Sequence, residues 1–353
     1  AHAVSRGEMS APLLATKLYT PSPRPDLVPR PRLVQRLDAG LHRKGTLVSA
    51  PAGYGKTTLV SEWLDSVERP VTWLTLSDGD NDPASFLAYF LAALPKVDPD
   101  IGQTAQGMLH GSQAAPPEAL LAGLLNDVAT SPYALVLVLD DYHLIQALPI
   151  HQQLSFWLEH QPPQMHLVMA TREDPPLPLS RLRASGQITD IRQTDLLFSD
   201  AETGDFLRRV MALELEPGDV AALQRRTEGW IAGLQLAALS LQGRDDAHQV
   251  VESFAGSHRY ILDYLIEEVY RQQSADVQEF MLTTSILHRL TSPLCNAVTG
   301  RDDAQQMLVG LDQANLFIVR LDESRLWYRF HRLFRDLLRT QGQAIDRAPL
   351  HLR

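Results

Sequence analysis

Lys56, Thr57 and Thr58 directly follow two glycines one residue apart, in the run Leu47-Val-Ser-Ala-Pro-Ala-Gly-Tyr-Gly-Lys-Thr-Thr-Leu-Val60. That order suits the binding of phosphate. Gly53 and Gly55 have no side chain, so consecutive backbone N–H groups can turn inward around phosphate oxygens. A helix opening near Lys56 adds the partial positive charge of its N-terminus. The candidate cradle is therefore Ala52, Gly53, Tyr54, Gly55, Lys56, Thr57 and Thr58. Within it, Lys56 can reach terminal phosphates and the Thr57 hydroxyl can ligate Mg²⁺. The pattern G-x-x-x-x-G-K-[ST] is met except at its first position, where Ala50 replaces glycine.

A second set of reactive side chains stands further on. Asp140 and Asp141 close the apolar run Ala134-Leu-Val-Leu-Val-Leu139. Asp140 can hold Mg²⁺ directly or through water, and Asp141 can orient or deprotonate an attacking water. Alone, a strand-end aspartate is more often a cap or turn residue. After a phosphate loop in the same sheet, the functional reading prevails. Lys56, Asp140 and Asp141 are thus the candidate catalytic set, and Thr57 with Asp140 the candidate Mg²⁺ ligands. Arg172 ends another apolar run, Met165-His-Leu-Val-Met-Ala170, followed by Thr171. There it faces the crevice at the carboxyl edge of a parallel sheet and can sense a terminal phosphate. Thr171-Arg-Glu-Asp174 is near the T-K-x-D element that reads guanine, but arginine replaces the lysine. His143 also stands where the D-x-x-G element needs glycine, so ATP is favoured over GTP.

The elements that must position these residues follow from hydrophobic pattern. Strands are expected at Val71–Leu76, Ala134–Leu139, Met165–Ala170 and Gln187–Arg192, besides the one before the loop. Such runs, separated by helical stretches, give a parallel sheet with helices on both faces. Asp78-Gly-Asp-Asn-Asp-Pro83 spaces carboxylates like a calcium loop. Pro83 and Tyr89 break that pattern, so Asp82 is expected to cap a helix instead. Residues 95–115 read as irregular and 117–129 as helical. Helical spacing then fills 200–212, 217–226, 229–242 and 249–272. Three more helices are expected near 275–287, 292–298 and 303–314. A hairpin follows from Asn315–Arg320 and Leu326–Phe330, then a helix from His331 to Thr340, which is a winged-helix order. Trp230 and Trp327 are expected as core anchors.

With 353 residues, 44% of them apolar and 21% charged, the chain has material for two or three domains. A net charge of −10 repels DNA overall. The basic run Arg325, Arg329, Arg332, Arg335 and Arg339 covers several faces, which fits a solvated or inter-domain surface better than a groove reader. The single Cys295 excludes a disulfide framework, fits a reducing cytoplasm and reads as a small core residue. No apolar run is long enough for a membrane span, and Ala1–Leu13 lacks the apolar region of a signal peptide. Gln341–Arg353 lacks a stop signal and reads as the start of a region cut from a longer chain.

These motifs together resemble the signal-transducing STAND ATPases, in particular the MalT-like large ATP-binding LuxR-type transcription regulators. The residues that carry the resemblance are Ala50–Leu59, Asp78–Pro83, Leu139-Asp-Asp-Tyr-His143, Ala170-Thr-Arg172, Glu228-Gly-Trp-Ile-Ala-Gly-Leu-Gln-Leu236 and Tyr328-Arg-Phe-His-Arg-Leu-Phe334. The resemblance covers nearly the whole chain from about residue 14, and Ala50 is common in that family's loop. It implies an α/β P-loop NTPase sheet followed by a helical domain and a winged-helix domain around one adenine nucleotide. The expected divisions are a lead-in over 1–45, a nucleotide-binding domain over 46–198, a helical domain over 199–272 and a winged helix over 273–340. Residues 341–353 would begin a further region.

The resemblance also implies roles. Val28 and Arg30, flanking Pro29, match the adenine-side segment, and Gln235 replaces the proline of a G-L-P-L-A element. His331 matches the histidine that touches the β-phosphate in a closed, ADP-bound form. The implied function is a switch in a signal-responsive transcription regulator, ADP-closed and ATP-open, with Mg²⁺ and slow ATP hydrolysis as reset. Self-association would follow in the ATP state. An unknown inducer would act through a missing C-terminal sensor, and DNA through a missing helix-turn-helix. The competing reading is a DNA-processing or metabolic P-loop ATPase with hydrolysis as its main output. Fast, DNA-stimulated turnover would favour that reading; the acidic balance and the lack of a second catalytic cluster count against it.

Overall fold

Five parallel strands build the sheet of the computed structural model, which describes residues 13–22, 26–109, 116–244, 246–254 and 259–342. They are β1 (Gly45–Ser49), β2 (Val71–Thr75), β3 (Leu135–Asp140), β4 (Met165–Thr171) and β5 (Ile188–Arg192), in the spatial order β2-β3-β4-β1-β5. Every residue of β1, β3 and β4 is buried, as strands covered on both faces require. β3 runs one residue later than the apolar run predicts, because Asp140 still pairs in register with Thr75. Ser49 is level with Thr171, and Leu139 with Met169. The phosphate loop, Asp140 and Arg172 therefore leave the sheet at one carboxyl edge, with β4 between the loop strand and the acid strand.

Alternation of side chains along each strand divides the core in two. Leu135, Leu137 and Leu139 face the helices Pro83–Ala93, Pro117–Thr130 and Leu148–His160. Val136 and Val138 belong to the other cluster, with Val48, Val168 and Trp63 of the helix Lys56–Leu64. That second cluster continues without a break through Trp230, Leu234, Phe280, Phe317 and Phe334. The later lobes thus share a hydrophobic core with the sheet.

The helical lobe starts at Asp200–Asp205, where Ser199 and Glu202 form a reciprocal cap, and runs into a π-helical turn at Phe206–Val210. Pro217–Thr227, Ile231–Leu241, Ala247–Ser253 and Arg259–Leu265 follow, the last running into a π-helical turn at Ile266–Tyr270. The single helix expected over 249–272 is thus interrupted at Phe254, whose carbonyl accepts from the Arg226 guanidinium. Helices Ala275–Thr284, Ser292–Thr299 and Ala304–Gln313 then precede the antiparallel hairpin of β6 (Ile318–Arg320) and β7 (Tyr328–Phe330) and the helix Arg332–Gln341. His331 is the extended residue before that last helix, not its first residue.

Several expectations change or stand on packing. The stretch 95–115 contains a helix, Gln103–Leu109, and is not irregular throughout. Trp230 is fully buried, but Trp327 is 42% exposed beside the Arg289 guanidinium and anchors no core. Cys295 is a buried core residue whose thiol is pushed up to about 12 by burial. Asp82 caps its helix by accepting from Ser85 N at 2.8 Å. Residues 1–12 and 343–353 lie outside the described residues, and with them most of the tail expected to begin a further region. Among the described residues, no helix is long and apolar enough to cross a membrane.

Candidate functional site

The phosphate loop adopts the backbone its glycines allow. Gly53 and Gly55 have φ of 74° and 77°, and Gly55 precedes the helix Lys56–Leu64. Gly53 is required twice over. A Cβ there would lie 2.6 Å from Ala232 Cβ and 2.8 Å from the Tyr264 hydroxyl oxygen, both in the helical lobe. Lys56 Nζ donates to the carbonyls of Ala50 and Pro51 at 2.8 and 2.9 Å, folding back on its own loop. Burial first, then the charge of Arg172, pull its pKa down to about 8, against Asp141 and Asp140. A buried cation held only by carbonyls fits an anionic ligand.

Thr57 Oγ1 donates to both Asp140 oxygens at 3.1 Å. Burial, and then Asp141, raise the Asp140 carboxyl to about 6. Two protein oxygens beside a phosphate cradle fit Mg²⁺, which keeps waters and takes phosphate oxygens as its remaining ligands. The described residues contain no group of three or more His, Cys, Asp or Glu side chains that could hold a metal ion by themselves. The raised carboxyl has a stability consequence. The folded chain holds a proton on Asp140 between about pH 4 and 6 that the unfolded chain has lost, so stability falls as pH rises through that window. Asp140→Asn should therefore stabilise the nucleotide-free chain at pH 8 by roughly 2–3 kcal/mol at most, read as a higher melting temperature. The gain should vanish near pH 4. Thermal melts at the two pH values check this, and equal gains at both would refute it.

Asp141 has φ of 55°, which turns its side chain out from the strand end to 41% exposure. Arg172 donates to the Glu268 carbonyl and carboxylate at 2.9 and 2.8 Å. Asn315 Nδ2 donates to the Arg172 carbonyl at 2.9 Å and to Ser49 Oγ at 3.1 Å. Sheet, helical lobe and winged-helix lobe therefore meet at Arg172. Asp141, His143, Arg172, Glu268 and Asn315 line a cavity of about 430 Å³. On the other side of the loop lies one of about 230 Å³, lined by Val28, Arg30, Gly53, Thr58, Phe198 and Gln235 among others.

Two candidate residues meet the second cavity with less than their side chains. The Arg30 guanidinium donates to the carbonyls of Leu196 and Leu197 at 2.8 and 3.0 Å and to Glu202 at 3.1 Å. It braces the wall instead of offering a free charge. Tyr54 turns its ring into the core beside Phe317, and its hydroxyl accepts from Gln193 at 2.9 Å. Its backbone is what it can present to a phosphate.

His331 lines neither cavity. It is 1% exposed, and Nε2 lies 3.0 Å from the Thr227 carbonyl while Nδ1 is buried without a partner. Burial holds its pKa below the usual imidazole value, against the pull of Glu228. Trp230 stands between it and the loop, with ring centroids 6.0 Å apart and Nε1 donating to the Ala52 carbonyl at 3.2 Å. No role at the site was expected for Glu228, Glu268, Asn315 or Phe317. Glu228 clamps Arg329 of β7 through two bonds of 2.9 and 2.6 Å, and accepts from Arg332 N. Only Asn315 carried a local signal, since asparagine tolerates the left-handed backbone it adopts.

Comparison with known proteins gives three findings. Residues 266–350 match the family described as the MalT winged helix domain. Over 344 residues the chain is 35% identical to an HTH-type transcriptional regulator MalT of Yersinia enterocolitica, covering 96% of this chain and 38% of that protein. The same identity and coverage hold for MalT of Serratia proteamaculans, so the chain spans well under half the length of these relatives. The Walker-type ATPase paby2304 of Pyrococcus abyssi matches in structure with a TM-score of 0.62 at 14% identity, covering 92% of this chain and 100% of that one. At that identity the likeness speaks to fold alone.

Proposed function

The chain is a homologue, over nearly its whole length, of the HTH-type transcriptional regulators named MalT, and from that premise we propose that it is an adenine-nucleotide switch of a transcription regulator. ADP holds it closed, ATP opens it, and slow hydrolysis resets it, in a cytoplasmic protein whose inducer and DNA contacts involve parts beyond this chain. One observation carries the reading: both later lobes hold the backbone of the phosphate-binding edge. Trp230 Nε1 donates to the Ala52 carbonyl, Ala232 N to the Gly53 carbonyl at 3.2 Å, and Asn315 to the Arg172 carbonyl. A ligand that reshapes this edge necessarily alters how the lobes fit.

The adenine base would occupy the smaller cavity beside Val28 and Gln235. Lys56 would leave the carbonyls of Ala50 and Pro51 for phosphate oxygens. Thr57 and Asp140 would hold Mg²⁺, which would neutralise phosphate charge. Arg172 is the candidate reader of the terminal phosphate. Exchanging Glu268 for it would loosen the end of the helical lobe and the Asn315 contact, freeing surfaces for self-association. Only such differential contacts can shift the equilibrium. The unpartnered Nδ1 of His331 would meet the β-phosphate in the ADP state only with Trp230 displaced from between it and the loop. His331→Ala is expected to speed ADP release several-fold and to promote self-association. An unchanged release rate, followed with a fluorescent ADP analogue, would leave this histidine as packing only. The reading as a whole is tested by the nucleotide that co-purifies and by titration with ADP and ATP. A chain with no affinity for adenine nucleotides, or with turnover strongly stimulated by DNA, would overturn it.

A further inference from the structure

We propose that His143 is a positioning residue for ATP hydrolysis, holding the Asp141 carboxylate in place as the base; this rests on the switch reading above. His143 lies in the helical turn Tyr142–Leu144 that follows Asp141, and both residues line the 430 Å³ cavity with Arg172 and Asn315. Its side chain is 12% exposed, and Nδ1 is buried with no hydrogen-bond partner. An unpartnered buried ring nitrogen is costly unless some state of the protein uses it. The nearest carboxylate oxygen, Asp141 Oδ1, is 3.9 Å from Nδ1. A closure of about 1 Å would complete an Nδ1–H donation, and such bonds are often long before substrate arrives. Burial, and then the charges of Arg172 and Lys56, keep the ring neutral, so it carries one N–H to donate and brings no second positive charge to the site.

The left-handed backbone at Asp141 is what makes a second support necessary. It turns the carboxylate out from β3 toward the cavity that His143 also lines. Asp140 has Thr57 as a donor. Asp141 has the imidazole, two residues on. In the proposed step the water oxygen bonds to the γ-phosphorus and the bond to the β,γ-bridging oxygen breaks to leave ADP. The water proton passes to Asp141, and His143 keeps its own proton throughout. It acts through the carboxylate and touches no reacting atom.

The test uses single-turnover ATP hydrolysis alongside the affinities for ATP and ADP. His143→Ala should slow hydrolysis by about 10- to 100-fold, the order expected when a reacting group is misplaced by an ångström, with both affinities unchanged. His143→Asn places an amide N–H near the position of Nδ1 and should recover most of the rate. His143→Gln, whose amide reaches further along the side chain, should not. In an Asp141→Asn background, His143→Ala should add no further loss. Wild-type hydrolysis in His143→Ala, equal recovery by Asn and Gln, or a loss of affinity matching the loss of rate would each overturn the proposal. A wild-type chain that binds ATP without hydrolysing it would also overturn it, while leaving the nucleotide switch standing. Failure to bind adenine nucleotide at all would sink the switch reading itself.

Discussion

Lys56→Ala is expected to lower affinity for ATP and ADP by at least about 100-fold while leaving the fold intact. The first half follows from charge. Lys56 is 8% exposed, its amine lies among loop carbonyls, and a phosphate chain bound there would be its counter-ion. Removing one partner of a buried, hydrogen-bonded ion pair costs about 3–5 kcal/mol, and each 1.4 kcal/mol is tenfold in affinity. The second half follows from its partners in the ligand-free chain. Both of these Nζ hydrogen bonds stay within the loop, so no strand or lobe depends on them. Burial already opposes the charged amine, so truncation also removes an unfavourable desolvation. Calorimetry with Mg-ATP and with ADP, beside melts of the nucleotide-free chain, checks both halves. Wild-type affinity in the variant would place the phosphates elsewhere.

Trp230→Ala should show the largest loss of stability. The indole is fully buried in the cluster that joins sheet, helical lobe and winged-helix lobe. Its ring packs 5.1 Å from Phe317, 5.7 Å from Tyr264 and 6.0 Å from His331, and its Nε1 reaches the Ala52 carbonyl. Truncating such a side chain costs about 3–5 kcal/mol through lost burial and the cavity left behind. For a chain of this size that is a fall of several degrees or more in melting temperature. Trp230→Phe separates packing from signalling. It keeps most of the apolar volume and removes only the donor to Ala52, so most of the stability should return while retention of ADP does not. Equal ADP release from Trp230→Phe and wild type would show that this bond carries no coupling between loop and lobes.

The strongly patterned parts of the fold were legible without coordinates. Continuous apolar runs set the parallel strands within a residue, because a strand covered on both faces has no polar face to confuse the pattern. The expected helix over 249–272 leaves helical geometry at Phe254, whose carbonyl accepts from Arg226, 28 positions back in the chain and outside any local pattern. Trp327 failed for a related reason. Aromatic content alone cannot say whether a hairpin residue turns toward the core, and this one lies out beside Arg289.

What the sequence determined by itself is the phosphate loop and the acid that faces it. Two glycines, a lysine and a threonine at fixed spacing dictate a backbone shape through local sterics, and a parallel strand delivers its last residue to the same sheet edge whatever surrounds it. Only the tertiary structure decided what Arg172, His331 and Glu228 do. Their partners Glu268, Thr227 and Arg329 lie 96, 104 and 101 residues away in the chain. Contacts across such separations depend on how whole lobes pack, and no local pattern of residues encodes them.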